Sequence, residues 1–218
     1  MNTDDARATM VREQLEGRGI RDRRVLDAML RVPRHMFVPP DQQLEAYEDR
    51  ALPIEGGQTI SQPYVVALMA QSLSLIGDER LLEIGTGSGY AAAVLSELAA
   101  EVFTVERHPD LAALAEQRLK QLGRRNVFVI CSDGTDGLPA YAPFDAIVVA
   151  ASSPWVPRPL REQLTLDGRL VIPVGGRNEQ VLLRLERDGT EMHIDRLCGV
   201  RFVPLIGEHA WKEQGKHA

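Results

Sequence analysis

The stretch from 81 to 106 constrains this chain more than any other. Leu81 to Ile84 is a short apolar run that passes directly into Gly85-Thr86-Gly87-Ser88-Gly89. Tyr90 to Ala100 is then rich in Ala and Leu, and Val102 to Val105 is apolar again. In order this predicts strand, glycine turn, helix and strand, the repeating unit of an open α/β sheet. Later segments continue the pattern. Leu111 to Leu122 reads as a helix closed by Gly123, Val127 to Cys131 as a third strand and Ala146 to Ala150 as a fourth, with a helix over Arg158 to Leu164 and a fifth strand over Leu170 to Val174. Strands this uniformly apolar belong in a parallel sheet covered on both faces. The texture then changes. Val181 to Leu185, the turn Asp188-Gly189 and the run from Met192 predict an antiparallel hairpin, with Val200 to Leu205 as a last strand. Ahead of the sheet, Ala8, Val11 and Leu15, then Val25, Leu26, Met29 and Leu30, recur at helical spacing on either side of Gly17-Arg18-Gly19. They predict two short amphipathic helices, followed by irregular structure from Pro33 to Pro53.

Length and charge narrow the partners. A chain of 218 residues, 44% hydrophobic and 26% charged, has enough core to fold without disulfides or metals. With 25 basic against 31 acidic side chains it carries a net charge of −6, which argues against a nucleic-acid partner. No run approaches the roughly 18 to 20 apolar residues of a membrane helix. The acidic start, Met1-Asn2-Thr3-Asp4-Asp5, lacks the features of a secretory signal. Cys131 and Cys198, each in an apolar run, are expected as reduced core thiols, so a cytoplasmic location is expected. His35, His108, His193, His209 and His217 are scattered and show no metal-ligand spacing, and no metal is expected.

A glycine turn between strand and helix lets a ligand approach the backbone and aims helix N-terminal N–H groups at it. The dinucleotide fingerprint would put its third glycine at position 90, which is Tyr90, whereas Gly85, Gly87 and Gly89 alternate. That spacing favours adenosyl-methionine over a dinucleotide. Glu106 ends the second strand, where a carboxylate can accept from both ribose hydroxyls of a nucleoside. Asp133-Gly134 follows the third strand and is expected to present a carboxylate to an adenine amino group. Three signals at three successive strand ends point to one crevice.

The loop Leu52 to Pro63, with its Gly57-Gln58-Thr59-Ile60-Ser61, extends the pattern beyond the cofactor. So do Val32-Pro33-Arg34, Phe37-Val38-Pro39, Ala46-Tyr47-Glu48-Asp49, Glu83 to Tyr90, Val156-Pro157, Gly168 to Gly175 and Val200 to Leu205. Together these segments resemble the protein-L-isoaspartate O-methyltransferase family, in family order over nearly the whole chain. The resemblance implies a Rossmann-like class I methyltransferase: a mostly parallel central sheet with helices on both faces, an N-terminal helical cap and C-terminal antiparallel strands. The expected organisation is a single domain over 1–218, with cap and substrate-side loop over 1–60, donor-binding core over 61–175 and antiparallel strands and tail over 176–218.

The activity implied is transfer of a methyl group from S-adenosyl-L-methionine to the α-carboxylate of L-isoaspartyl residues in damaged proteins and peptides, leaving S-adenosyl-L-homocysteine. The ester then collapses to a succinimide that can reopen to aspartate. By the same resemblance Ser61 is the catalytic residue, and Gln58, Thr59, Ile60 and Ser61 lie beside the methyl donor. Gly85, Thr86, Gly87 and Ser88 line its methionine and ribose side, Glu106 its ribose and Asp133 with Gly134 its adenine. Glu83 is expected to orient the turn or a bridging water. The expected partners are isoaspartyl proteins and peptides, with no nucleic acid or membrane, and the enzyme is expected as a monomer. Other readings stay open: a different acceptor, a catalytically silent donor-binding module, or Ser61 as a mere cap of the helix near Tyr64. Glu55 stands where the family loop commonly has glycine, so it either faces away from a carboxylate substrate or shifts peptide preference.

Overall fold

The computed structural model describes residues 2–213. His217 and the end of the predicted tail segment lie outside them. Thr3–Thr9 (α1) and Arg23–Arg31 (α2) are the two helices expected at the start, α2 beginning where the Asp22 carboxylate accepts the Arg24 N–H at 2.9 Å. Short turns lead to Leu52–Pro53 (β1) and Thr59–Ile60 (β2), a two-stranded hairpin, and then to Pro63–Ser72 (α3). The main sheet follows with Arg80–Ile84 (β3), Glu101–Glu106 (β4), Val127–Cys131 (β5), Phe144–Val149 (β6), Leu164–Gly175 (β7), Gln180–Asp188 (β8) and Glu191–Val200 (β9). Tyr90–Leu95 (α4), Pro109–Gln121 (α5) and Arg158–Glu162 (α6) connect the parallel strands.

The strand order is β5-β4-β3-β6-β7-β8-β9, parallel through β7 and antiparallel for the last two strands. Neighbouring residues serve opposite cores. Leu81, Val102, Ala146 and Val171 pack with α2, α3 and α4, whereas Leu82, Phe103, Ile147 and Leu170 pack with Leu160, Leu205 and Ala210. Because side chains alternate along a strand, a sheet covered on both faces needs apolar residues at every position, as the sequence pattern shows. Among the described residues no helix is long and apolar enough to cross a membrane.

Three departures from the sequence pattern have a clear physical cause. The helix after the glycine turn stops at Leu95, because the Ser96 hydroxyl bonds back to Ala93 O at 2.7 Å and tighter turns carry the chain to β4. Of the expected strand Val200 to Leu205 only Val200 belongs to the sheet, as the end of β9. Val203 and Leu205 instead exchange backbone hydrogen bonds with Ser152 beyond the end of β6, at 2.8 Å each, and Pro204 between them has no N–H for a ladder. Cys131 is exposed rather than in the core because β5 is an edge strand, and Cys198 is half-buried; both thiols are free.

The N-terminal cap buries an unusual group. Arg34 is fully buried, donates from Nε to Ala46 O at 2.7 Å and lies over the Tyr90 ring, while its two terminal nitrogens have no hydrogen-bond partner among the described residues. Burial pulls its pKa down to about 10, the nearby Tyr90, Tyr47 and Asp49 only partly opposing it. Replacing a poorly satisfied buried charge by an apolar chain of similar length is often neutral or stabilising. We expect Arg34→Met to unfold in urea within about 1 kcal/mol of wild type, and a much larger loss would show that the guanidinium itself holds the cap.

Candidate functional site

Strand order reverses between β3 and β6: the chain goes from β3 outward to β4 and β5, then returns to the other side of β3. Connections leave in opposite directions there, and open α/β sheets bind ligands in the crevice so formed. A cleft of about 240 Å³ opens at this point. Its floor is the Gly85–Ser88 turn, which Gly85 (φ 94°), Gly87 (52°) and Gly89 (89°) bend through left-handed conformations that side chains resist.

β4 holds the turn in shape. Val105 O accepts the N–H groups of Gly85 and Thr86 at 2.8 and 3.2 Å. The buried Glu106 accepts from Gly87 N at 2.9 Å with one oxygen and from His108 N at 3.0 Å with the other, so its carboxylate is fixed at the cleft wall. Beneath the turn, the Thr86 hydroxyl meets Thr104 at 2.6 Å and Thr104 donates to Glu83 at 2.5 Å. The second Glu83 oxygen is buried without a hydrogen-bond partner among the described residues. Burial pushes the Glu83 pKa up to about 8; the Thr104 hydroxyl opposes this and the Glu106 charge adds to it.

The opposite wall comes from the β1–β2 hairpin. Ile54 N donates to Gln58 O at 2.9 Å, and Ile54 packs over Gly87, so the loop lies against the turn. Gln58, Thr59, Ile60 and Ser61 line the same cleft as Gly85, Thr86, Gly87 and Ser88. The cap position of α3 is taken by Gln62, not Ser61, and Pro63 starts the helix. Glu55 points away from the cleft and pairs with Arg118 at 3.1 Å.

Of the expected cleft residues, Asp133 alone does not line it. Gly134 does, packed so tightly that a Cβ there would sit 2.5 Å from Ile84 Cγ2. The Asp133 carboxylate turns instead to the C-terminal segment, accepting from Glu208 N at 2.8 Å and from the Thr135 backbone and hydroxyl at 2.8 and 2.7 Å. Burial works against its charge, but these donors outweigh it and hold the carboxyl below the ordinary range. The segment so tied brings Val203, Pro204, Leu205 and Ile206 to the cleft. Sequence reasoning missed Val203, Pro204 and Leu205 because it assigned 200–205 to a strand, and it gave Ile206 no role; the interior proline was the available signal.

A second, wider groove of about 1350 Å³ runs from the same place between the hairpin and the β8–β9 side of the sheet. Cleft and groove share Thr59, Ser61, Ala150, Val203 and Pro204. A small ligand and a larger one would therefore meet at Ser61.

The protein-L-isoaspartate(D-aspartate) O-methyltransferase (PCMT) family model matches residues 6–210. This chain belongs to that family. It is 60% identical over 211 residues to a protein-L-isoaspartate O-methyltransferase of Roseiflexus sp. (strain RS-1), covering 97% of this chain and 96% of that one. It is 55% identical over 208 residues to the Methanoregula boonei protein of the same name, covering 95% and 96%. One solved protein-L-isoaspartate O-methyltransferase, 28% identical, superposes with a TM-score of 0.84 over 94% of this chain and 67% of the other. A Plasmodium falciparum chain assigned to the same enzymes and solved in complex with S-adenosyl-L-homocysteine, also 28% identical, gives 0.80 over 92% and 98%.

Glu83 makes this site sensitive to pH in a calculable direction. An unfolded glutamate ionises near about 4.3, whereas the folded chain keeps its Glu83 proton up to about 8. Between those values the folded state binds the extra proton, so this group lowers stability as pH rises and adds no further slope above the upper one. Glu83→Gln has no such proton. Its urea midpoint should fall less than that of wild type between about pH 5 and 8; identical slopes would mean that Glu83 is ionised in the folded protein.

Proposed function

We propose that this chain moves the methyl group of S-adenosyl-L-methionine to the α-carboxylate of L-isoaspartyl residues in proteins and peptides, starting repair through a succinimide. One observation carries the proposal beyond family membership: a nucleoside-sized cleft and a polypeptide-sized groove open onto each other at Ser61. The residues of the cleft fit the donor. Each Glu106 oxygen accepts one backbone N–H and keeps a lone pair for a ribose hydroxyl, and Ile84, Val105, Leu205 and Ile206 offer apolar surface to a flat base. Gly134 leaves its backbone close to that base, and we assign Asp133 to the same end as the tether of Leu205 and Ile206. Gln58, Thr59, Ile60 and Ser61 are assigned to the methyl side, with Gly85, Thr86, Gly87 and Ser88 across from them.

When bound, the donor supplies an electrophilic methyl on a positively charged sulfur that departs as a neutral thioether. The acceptor carboxylate, with an ordinary pKa near about 4, is ionised at neutral pH, so the protein needs no general base. Its task is alignment, which can contribute on the order of 7 to 11 kcal/mol. In this reading Ser61, which lines both cleft and groove, donates a hydrogen bond to the carboxylate oxygen that does not react and so turns the other toward the methyl. Action as a monomer in the cytoplasm belongs to the same reading, and the two free thiols support the cytoplasmic part.

The deciding experiment uses paired peptides of one sequence, with isoaspartyl or aspartyl at a single position, and labelled donor. Label is expected in the isoaspartyl peptide alone; equal labelling of both, or of neither, would overturn the proposal. With the isoaspartyl peptide, Ser61→Ala should lower kcat/KM by about 10-fold, the worth of one hydrogen bond of about 1.4 kcal/mol. Glu106→Gln should weaken donor binding by calorimetry about 10- to 100-fold through loss of charge-assisted bonds. Wild-type affinity in that variant would remove Glu106 from the donor site.

A further inference from the structure

The groove has a charge opposite to that of the chain. Arg177, Arg196 and Arg201 line it, all are exposed, and none pairs with a carboxylate among the described residues. Its other charges are mostly spoken for. Asp49 pairs with Arg18, and Arg50 pairs with Glu45 and Glu48, which leaves Glu179 as the one unpaired acid on the lining of the described groove. Arg177 is held over the Trp211 ring with its guanidinium 4.8 Å from the centroid, so its charge stays at the rim. A protein of net charge −6 thus places unpaired cations along the wider of the two openings that meet at Ser61.

We infer that Arg177, Arg196 and Arg201 select the polypeptide: the preferred acceptors carry acidic residues beside the isoaspartyl. The inference rests on the proposed function and specifies its substrate class. The arginines come from the loop after β7, from β9 and from the segment that follows it, so they flank a chain lying across the sheet edge. They also reinforce attraction for the reacting carboxylate itself, whereas the acidic remainder of the surface repels it. Local charges win at contact because more distant ones are screened beyond about 8 to 10 Å at ordinary ionic strength.

The test uses three isoaspartyl peptides of one length whose flanking residues are acidic, neutral or basic. At about 0.05 M salt the acidic peptide should exceed the basic one by about 3- to 10-fold in kcat/KM, carried by KM. Raising salt to about 0.5 M should shrink that ratio toward one. The triple variant Arg177→Gln, Arg196→Gln, Arg201→Gln should lose the ratio at low salt, while Arg125→Gln, Arg158→Gln, Arg161→Gln, with the same change in net charge away from the groove, should keep it. Equal use of the three peptides by wild type, or a ratio that survives in the groove variant, would overturn the inference and leave the proposed function standing. Methylation of none of the three would overturn both.

Discussion

A backbone that turns through three left-handed residues in five gives up the partners a helix or strand would supply, and its N–H groups must find others. Here they come from the neighbouring strand. Val105 O takes two of them, Glu106 takes the third and Thr104 holds the Thr86 side chain, so β4 dictates the shape of a loop that leaves β3. The pairing Ile84↔Val105 sets this alignment, and a slip by one residue would send Glu106 to the other face of the sheet. The buried Glu83 is tolerated for the same reason. Its raised pKa keeps it neutral near pH 7, which removes the cost of a buried charge while keeping the Thr104 bond.

Methyl transfer to a large acceptor raises a problem of access, and the proposed use of cleft and groove answers it. Donor and polypeptide need separate entrances and a common point of contact, with little protein between them. The shared wall is built from Thr59, Ser61, Ala150, Val203 and Pro204, all small or compact residues, drawn from three regions distant in the chain. Each region is fixed by a different device: the hairpin by Ile54 on Gly87, Ala150 by its N–H to Ile84 O, and the last segment by Ser152. No one segment could supply both openings, which is why the cap and the C-terminal strands belong functionally to the sheet between them.

The parts legible in the sequence were those governed by local periodicity or by a motif. Apolar runs marked every strand of the parallel sheet, and Val127–Cys131 matched to the residue. The glycine alternation and Glu106 marked the crevice, since strand ends are close in space whenever strands are parallel neighbours. The misread parts depend on position within the whole. The exposure of Cys131 follows from β5 being an edge, which no local pattern records. The path of residues 201–206 follows from backbone bonds to Ser152, fifty residues earlier.

Asp133 shows most clearly how a correct motif can carry a different physical role. Its spacing after the third strand predicts a carboxylate facing the crevice, and the adjacent Gly134 does line that crevice. Yet a carboxylate offered three donors by Thr135 and Glu208 has little capacity left for a ligand, and Gly207 lies so close that any side chain there would collide with it. The acid therefore acts through the segment it captures. By accepting the Glu208 N–H, with Gly207 packed against it, the carboxylate sets Leu205 and Ile206 against the cleft, and through Val203 and Pro204 the same segment borders the groove. A bond made beside the cleft thus also shapes the border of the groove.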